Sequence, residues 1–163
     1  MEWFREIKTL ILVFLLQVLL FNHLQIGSWG FPMIYILLLL NLPVRIPRWA
    51  EMLIGVGIGL LMDVWYSSLG VHMAACVAIT FLRPIFLNNM VQNIERIKDN
   101  VCSRTVGARE YTKCAVFLTL IHHFTVYLLE AWSLQNWWVI LLQTAISSSM
   151  TLIIILGYDR LNN

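Results

Sequence analysis

Two stretches of this chain carry no charged side chain: the 36 residues from Thr9 to Val44, and residues 131–158. A soluble domain would have nowhere to bury so much uninterrupted apolar surface. A membrane helix needs about 20 apolar residues, so the first run is too long for one span and fits two. It is interrupted at 25–32, where Gly27, Ser28, Gly30 and Pro32 signal a turn. Composition agrees. Hydrophobic residues make up 60% of the 163 positions and charged residues 12%, with a mean hydropathy of +0.76. Soluble domains carry about 25% charged residues. A soluble enzyme, a disordered tail and a disulfide-stapled secreted domain are excluded. The three cysteines, Cys76, Cys102 and Cys114, form no C-x-x-C and read as reduced thiols. The expected fold is an all-α polytopic membrane protein with a single membrane domain over 1–163.

The predicted spans are 7–25, 31–44, 49–66, 69–87, 114–130 and 137–157, with a polar cytoplasmic segment at 88–113. The second is short, bracketed by Pro32 and Pro43, and is taken as crossing because of the charge count. With six spans, all 11 Lys and Arg residues fall at the termini, the 2–3 loop, the end of span 4 and the 4–5 loop. The other three loops have none. Basic residues accumulate in cytoplasmic loops, so both termini are predicted to be cytoplasmic. Trp29, Trp65, Tyr66, Trp132, Trp137 and Trp138 form an outer aromatic belt, with Trp3 and Trp49 at the inner edge. The first span lacks a cleavage site and reads as an uncleaved helix rather than a signal peptide. Phe86, Leu87, Met90, Val91, Ile94 and Ile97 recur at helical spacing and predict an amphipathic helix on the inner leaflet. The basic residues there are too few and too mixed with acids for nucleic acid.

Ionisable residues inside a span are costly and need partners. Span 3 carries Glu51, Gly55, Gly57, Gly59 and Asp63; Gly55 and Gly59 make a G-x-x-x-G that lets another backbone approach. Span 4 presents His72, Ala75, Ile79 and Arg83 on one face, flanked by Ala74 and Ala78. The Ser67-Ser68 turn makes the two spans an antiparallel hairpin. Its register puts Glu51 level with Arg83, and Asp63 level with His72. The expectation is a hairpin with glycines facing alanines and a polar pair in contact at each end. In span 5, His123 and Glu130 are predicted to share a face while His122 points elsewhere. His123 is expected to meet the hydroxyl-rich patch of Gln143, Thr144, Ser147, Ser148, Ser149 and Thr151 in span 6. These nine residues, Glu51, Gly55, Gly57, Gly59, Asp63, His72, Arg83, His123 and Glu130, are helix-packing or partner-contact candidates. No catalytic, cofactor or metal set is predicted.

The run Pro32-Met33-Ile34-Tyr35-Ile36 to Pro43, then Gly57-Ile58-Gly59-Leu60-Leu61-Met62-Asp63 and Leu69-Gly70-Val71-His72-Met73-Ala74, resembles the bacterial rod shape-determining protein MreD family. Arg83-Pro84, Ile121-His122-His123 and Leu129-Glu130-Ala131-Trp132 extend the resemblance over about residues 7–157. The resemblance implies a non-catalytic inner-membrane subunit of the cell-elongation complex, organising lateral peptidoglycan synthesis and cell shape. The implied partner is an MreC-type bitopic membrane protein. Through it come actin-like MreB filaments, a RodA-type glycosyltransferase and a class B penicillin-binding protein. The implied fold is similar to the six-helix substrate-binding subunits of energy-coupling-factor transporters. That suggests an alternative, a vitamin-type transporter subunit, although span 1 lacks the alanine face such subunits use for docking. Homodimerisation is left open.

Overall fold

The computed structural model describes residues 2–20, 30–92, 94, 97, 100–131 and 136–162, with side chains from residue 8 onward. Among these residues the chain is all helical: α1 (Glu2–Leu19), α2 (Ile36–Leu40), α3 (Arg48–Tyr66), α4 (Val71–Met90), α5 (Ser103–Val106), α6 (Ala108–Ala131) and α7 (Trp137–Asn162). Four of them, α3, α4, α6 and α7, are long and apolar enough to cross a membrane. A shorter apolar helix covers Lys8–Leu19, and the predicted end of the first span, together with Trp29 and Trp132, lies outside the described residues.

The second predicted span is not a membrane-length helix. Only Ile36–Leu40 is helical, five residues, or about 7.5 Å of rise. Its start, 30–33, is irregular, and Ile34 and Tyr35 form a turn into α2. Pro32 has no N–H, Met33 N–H donates to Thr151 Oγ1 at 3.0 Å, and Ile34 N–H donates to Gln17 Oε1 at 2.7 Å. Side chains of α7 and α1 thus satisfy backbone N–H groups ahead of α2 that lipid could not.

This irregular segment nevertheless runs nearly the length of the bundle. Gly30 lies against Ser147 and Tyr127, whereas the Leu40 and Leu42 carbonyls meet Arg83. Met33, Tyr35, Ile36 and Leu39 are fully buried along the way. Contacts fix the direction of the other passes. Gln17 of α1 reaches Tyr66 at the end of α3, and Tyr111 at the start of α6 bonds Asn41. The segments α1, 30–42, α3, α4, α6 and α7 therefore alternate in direction, although only α3, α4, α6 and α7 have membrane length.

The 3–4 hairpin closes through Ser67 at φ 53° and Gly70 at φ 82°, both left-handed. Ser68 N–H returns to the Asp63 carbonyl at 3.0 Å, completing the stop. The hairpin packs tightly, but its glycines do not face Ala74 and Ala78. A Cβ at Gly59 would lie 2.8 Å from the Met73 nitrogen and 3.0 Å from the His72 carbonyl oxygen. One at Gly55 would meet Thr80 Oγ1 at 2.8 Å. Gly57 points away, with nothing within 4 Å of its would-be Cβ. It floors an open apolar groove between α1 and α3 lined by Phe14, Leu60, Leu61, Val64 and Trp65.

The expected amphipathic helix over 86–97 also differs. α4 runs through Pro84 to Met90 and stops at Val91, which is extended at φ −104°, ψ 119°. Val91, Val101 and Val106 are buried, and Ile94 and Ile97 pack on the same core. The apolar positions fold back onto the bundle end because those sites offer burial without lipid. Val101 N–H bonds the Leu42 carbonyl at 3.4 Å, and Pro43 pairs with Asn100. Helix α6 begins six residues before the predicted span, at Ala108.

Candidate functional site

Two polar clusters occupy the interior, one near each end of the 3–4 hairpin. At the first, Arg83 Nη1 donates to Glu51 Oε1 at 2.7 Å, with both side chains buried. Nε donates to the Leu40 carbonyl at 3.1 Å, and Nη2 donates to the Leu42 carbonyl. One guanidinium therefore ties α4 to α3 and to the C-terminal end of α2. A carbonyl left free by a helix end needs such a donor when water is absent. Asp159 of α7 serves the same end of the bundle, accepting from Ser103 N–H at 3.1 Å.

At the second cluster, Asp63 and His72 lie level as the register predicts, but the expected side-chain pair does not form. Asp63 accepts from the backbone N–H of His72 and Met73, both at 2.9 Å, and from Ser68 Oγ at 2.5 Å. It thus satisfies the first turn of α4 from a position in α3. A carboxylate in front of free helix N–H groups is favourable in charge as well as geometry. The His72 ring turns inward and bonds Tyr35.

Tyr35 is the centre that sequence reasoning missed. Its hydroxyl sits 2.8 Å from His72 Nδ1 and 3.1 Å from His122 Nε2. The hydroxyl has one hydrogen to give, so at most one of the two rings presents a bare nitrogen to it. The other ring must donate its own N–H. Tyr66 stacks on His72 at 4.9 Å between ring centroids, and its hydroxyl accepts from Gln17 Nε2 at 3.2 Å. The same amide group donates to the Pro32 carbonyl at 3.1 Å. His122 was expected to point away; it is fully buried here, and its other nitrogen, Nδ1, has no partner. Thr119 Oγ1 and Ser148 Oγ are the other buried atoms without one among the described residues.

His123 does meet the hydroxyl patch of α7. Its Nδ1 faces the Thr119 carbonyl at 2.9 Å and its Nε2 faces Thr151 Oγ1 at 3.2 Å. With Nδ1–H donating, Nε2 is an acceptor that shares the single Thr151 hydroxyl hydrogen with the Ser147 carbonyl, while the Thr151 oxygen accepts from Met33 N–H. Tyr127 and Ser147 bond at 2.6 Å beside Gly30. Glu130 does not join His123: it is exposed near the end of α6. The cysteines are free, and among the described residues no three of His, Cys, Asp and Glu converge to hold a metal.

One signal could have pointed to Tyr35 and Gln17. Each is a hydrogen-bonding side chain inside a charge-free apolar run, where a polar group needs an internal partner. Asp63 offers a test of the reading of its end. Asp63→Asn keeps one acceptor and should be mild. Asp63→Leu orphans the His72 and Met73 N–H groups and should cost about 1–3 kcal/mol in all. The midpoint of thermal unfolding in detergent checks this; equal loss in both variants would contradict the capping role.

The outer surface is apolar, with Leu53, Val64 and Ile153 strongly exposed and Trp65, Trp137 and Trp138 beyond them. A bundle with a hydrogen-bonded polar interior, an apolar exterior and four membrane-length helices defines a helical membrane protein. No protein-family model matches this chain, and no curated protein or solved structure is significantly similar to it.

Proposed function

We propose that this protein is an MreD-like, non-catalytic subunit of the bacterial cell-elongation machinery in the inner membrane. It crosses six times with both termini in the cytoplasm and works through an MreC-type bitopic partner. By that route it organises lateral wall synthesis by a RodA-type glycosyltransferase and a class B penicillin-binding protein along MreB filaments.

One observation carries the reading. Within the resembling motifs, Tyr35, Asp63, His72, Arg83 and His122 come from separate segments yet occupy the two buried polar clusters, and His123 is buried against α7, whereas Glu130 is exposed. The buried ones specify one packed architecture, as expected of a family that conveys organisation rather than chemistry. The orientation is supported by charge. Exposed Arg45, Arg48, Arg104, Arg109, Lys113 and Arg160 all belong to the end that holds the Glu51–Arg83 pair.

Depletion in a rod-shaped host should round the cells while septation continues. Normal rods after verified depletion, with no second copy present, would sink the proposal. Orientation is checked separately, in a background without the native cysteines. A cysteine at Ser67 should react with an impermeant thiol reagent from outside, and one at Asn162 should not.

A further inference from the structure

One outward face of the bundle combines charge and aromatic surface in a way that neither the polar interior nor the proposed scaffold role uses. Along α6, Arg109, Lys113, Phe117, Leu120 and Phe124 follow one another at helical spacing, and all five are exposed. The stripe begins with two cations one turn apart and continues as apolar surface toward mid-bundle. Phe86 of α4 stacks on Phe117, with centroids 5.4 Å apart and planes 21° from parallel. Exposed Phe81 and Ile85 widen the apolar strip on the α4 side. Because α4 and α6 are antiparallel, the Phe86–Phe117 contact brings the exposed Asn88 and Asn89 level with Lys113.

Among the described residues neither Arg109 nor Lys113 has a carboxylate partner, while the Arg83 guanidinium has one. Glu110, beside Arg109 in sequence, turns back toward Gly107 instead. Two exposed cations without a carboxylate partner among the described residues, above a strip that only hydrocarbon can solvate, call for a ligand with both properties in one molecule.

We infer that the α4–α6 face binds an anionic phospholipid. The phosphate sits between the Arg109 guanidinium and the Lys113 ammonium, within reach of the Asn88 and Asn89 amides. One acyl chain lies along Phe117, Leu120 and Phe124, against Phe86. The guanidinium supplies paired donors to phosphate oxygens and the ammonium a point charge. A zwitterionic lipid brings its own cation to the same place and gains less. The site concerns the lipid around the protein and stands whether or not the chain serves in cell elongation.

The test uses the full chain purified in a neutral detergent, with phosphatidylglycerol or phosphatidylcholine added. Phosphatidylglycerol should raise the thermal midpoint more than phosphatidylcholine does, and Arg109→Gln/Lys113→Gln should erase that difference. Each cation removed should weaken phosphatidylglycerol binding about fivefold, read by lipid retention in native mass spectrometry. The control Arg48→Gln/Arg160→Gln removes two other exposed cations from the same end and should keep the preference. No preference in the wild type, or equal loss in the control, would overturn the site. Independently of any variant's folding, a phosphatidylglycerol with a photoreactive acyl chain should label the wild-type chain within 81–86 and 117–124. Labelling confined to other helices would overturn it. So would a protein-sized adduct, formed in cells, from a photo-crosslinking residue at Leu120.

Discussion

Arg83→Leu is expected to be the most damaging single substitution in this chain, at about 3–5 kcal/mol. It leaves Glu51 charged and buried without its counter-ion, and it strips donors from the Leu40 and Leu42 carbonyls. In lipid no water replaces them. Glu51→Gln should be milder but still destabilising: its amide oxygen accepts from Nη1 and both carbonyl ties remain, while the guanidinium loses its counter-ion. The double variant Glu51→Leu/Arg83→Leu removes the stranded carboxylate yet should recover only in part. The two carbonyls remain orphaned, at about 1–3 kcal/mol each. Size-exclusion profiles and thermal midpoints in detergent read all three. Full recovery in the double variant would mean that the ion pair alone matters and that the ties to the 30–42 segment do not.

Gly59→Ala should be the second largest effect, although it adds one methyl group. Its Cβ would press on the Met73 and His72 backbone, which has no rotamer to yield. Helices α3 and α4 would have to separate, at the upper end of about 1–3 kcal/mol for overpacking. Gly55→Ala meets the Thr80 side chain, which can turn, and should cost less. Gly57→Ala meets nothing and should match or exceed the wild type, since alanine is the better helix former by about 1 kcal/mol. Thermal unfolding of the three alanine variants checks the order. A Gly57→Ala protein as unstable as Gly59→Ala would show that the open groove is occupied.

How much was legible follows from which interactions are local. Charge-free runs of span length and one-sided basic residues announced a membrane bundle before any contact was known. The hairpin register was also local, because a short turn leaves two antiparallel helices one alignment; that brought Glu51 to Arg83. It could not say where the Asp63 carboxylate goes. A free helix N-terminus competes with an imidazole for the same oxygens, and the backbone N–H groups won.

The sequence by itself determined the solvent, the all-helical class and the pairing within the 3–4 hairpin, because hydropathy and turn length act over neighbouring residues. Only the tertiary structure decided that residues 30–33 are irregular and that Tyr35 joins His72 to His122. Those outcomes depend on donors and acceptors from segments up to 118 residues away, such as Thr151 for Met33. In a medium without water a backbone N–H takes whichever acceptor the packing brings within reach, and no local pattern names that acceptor.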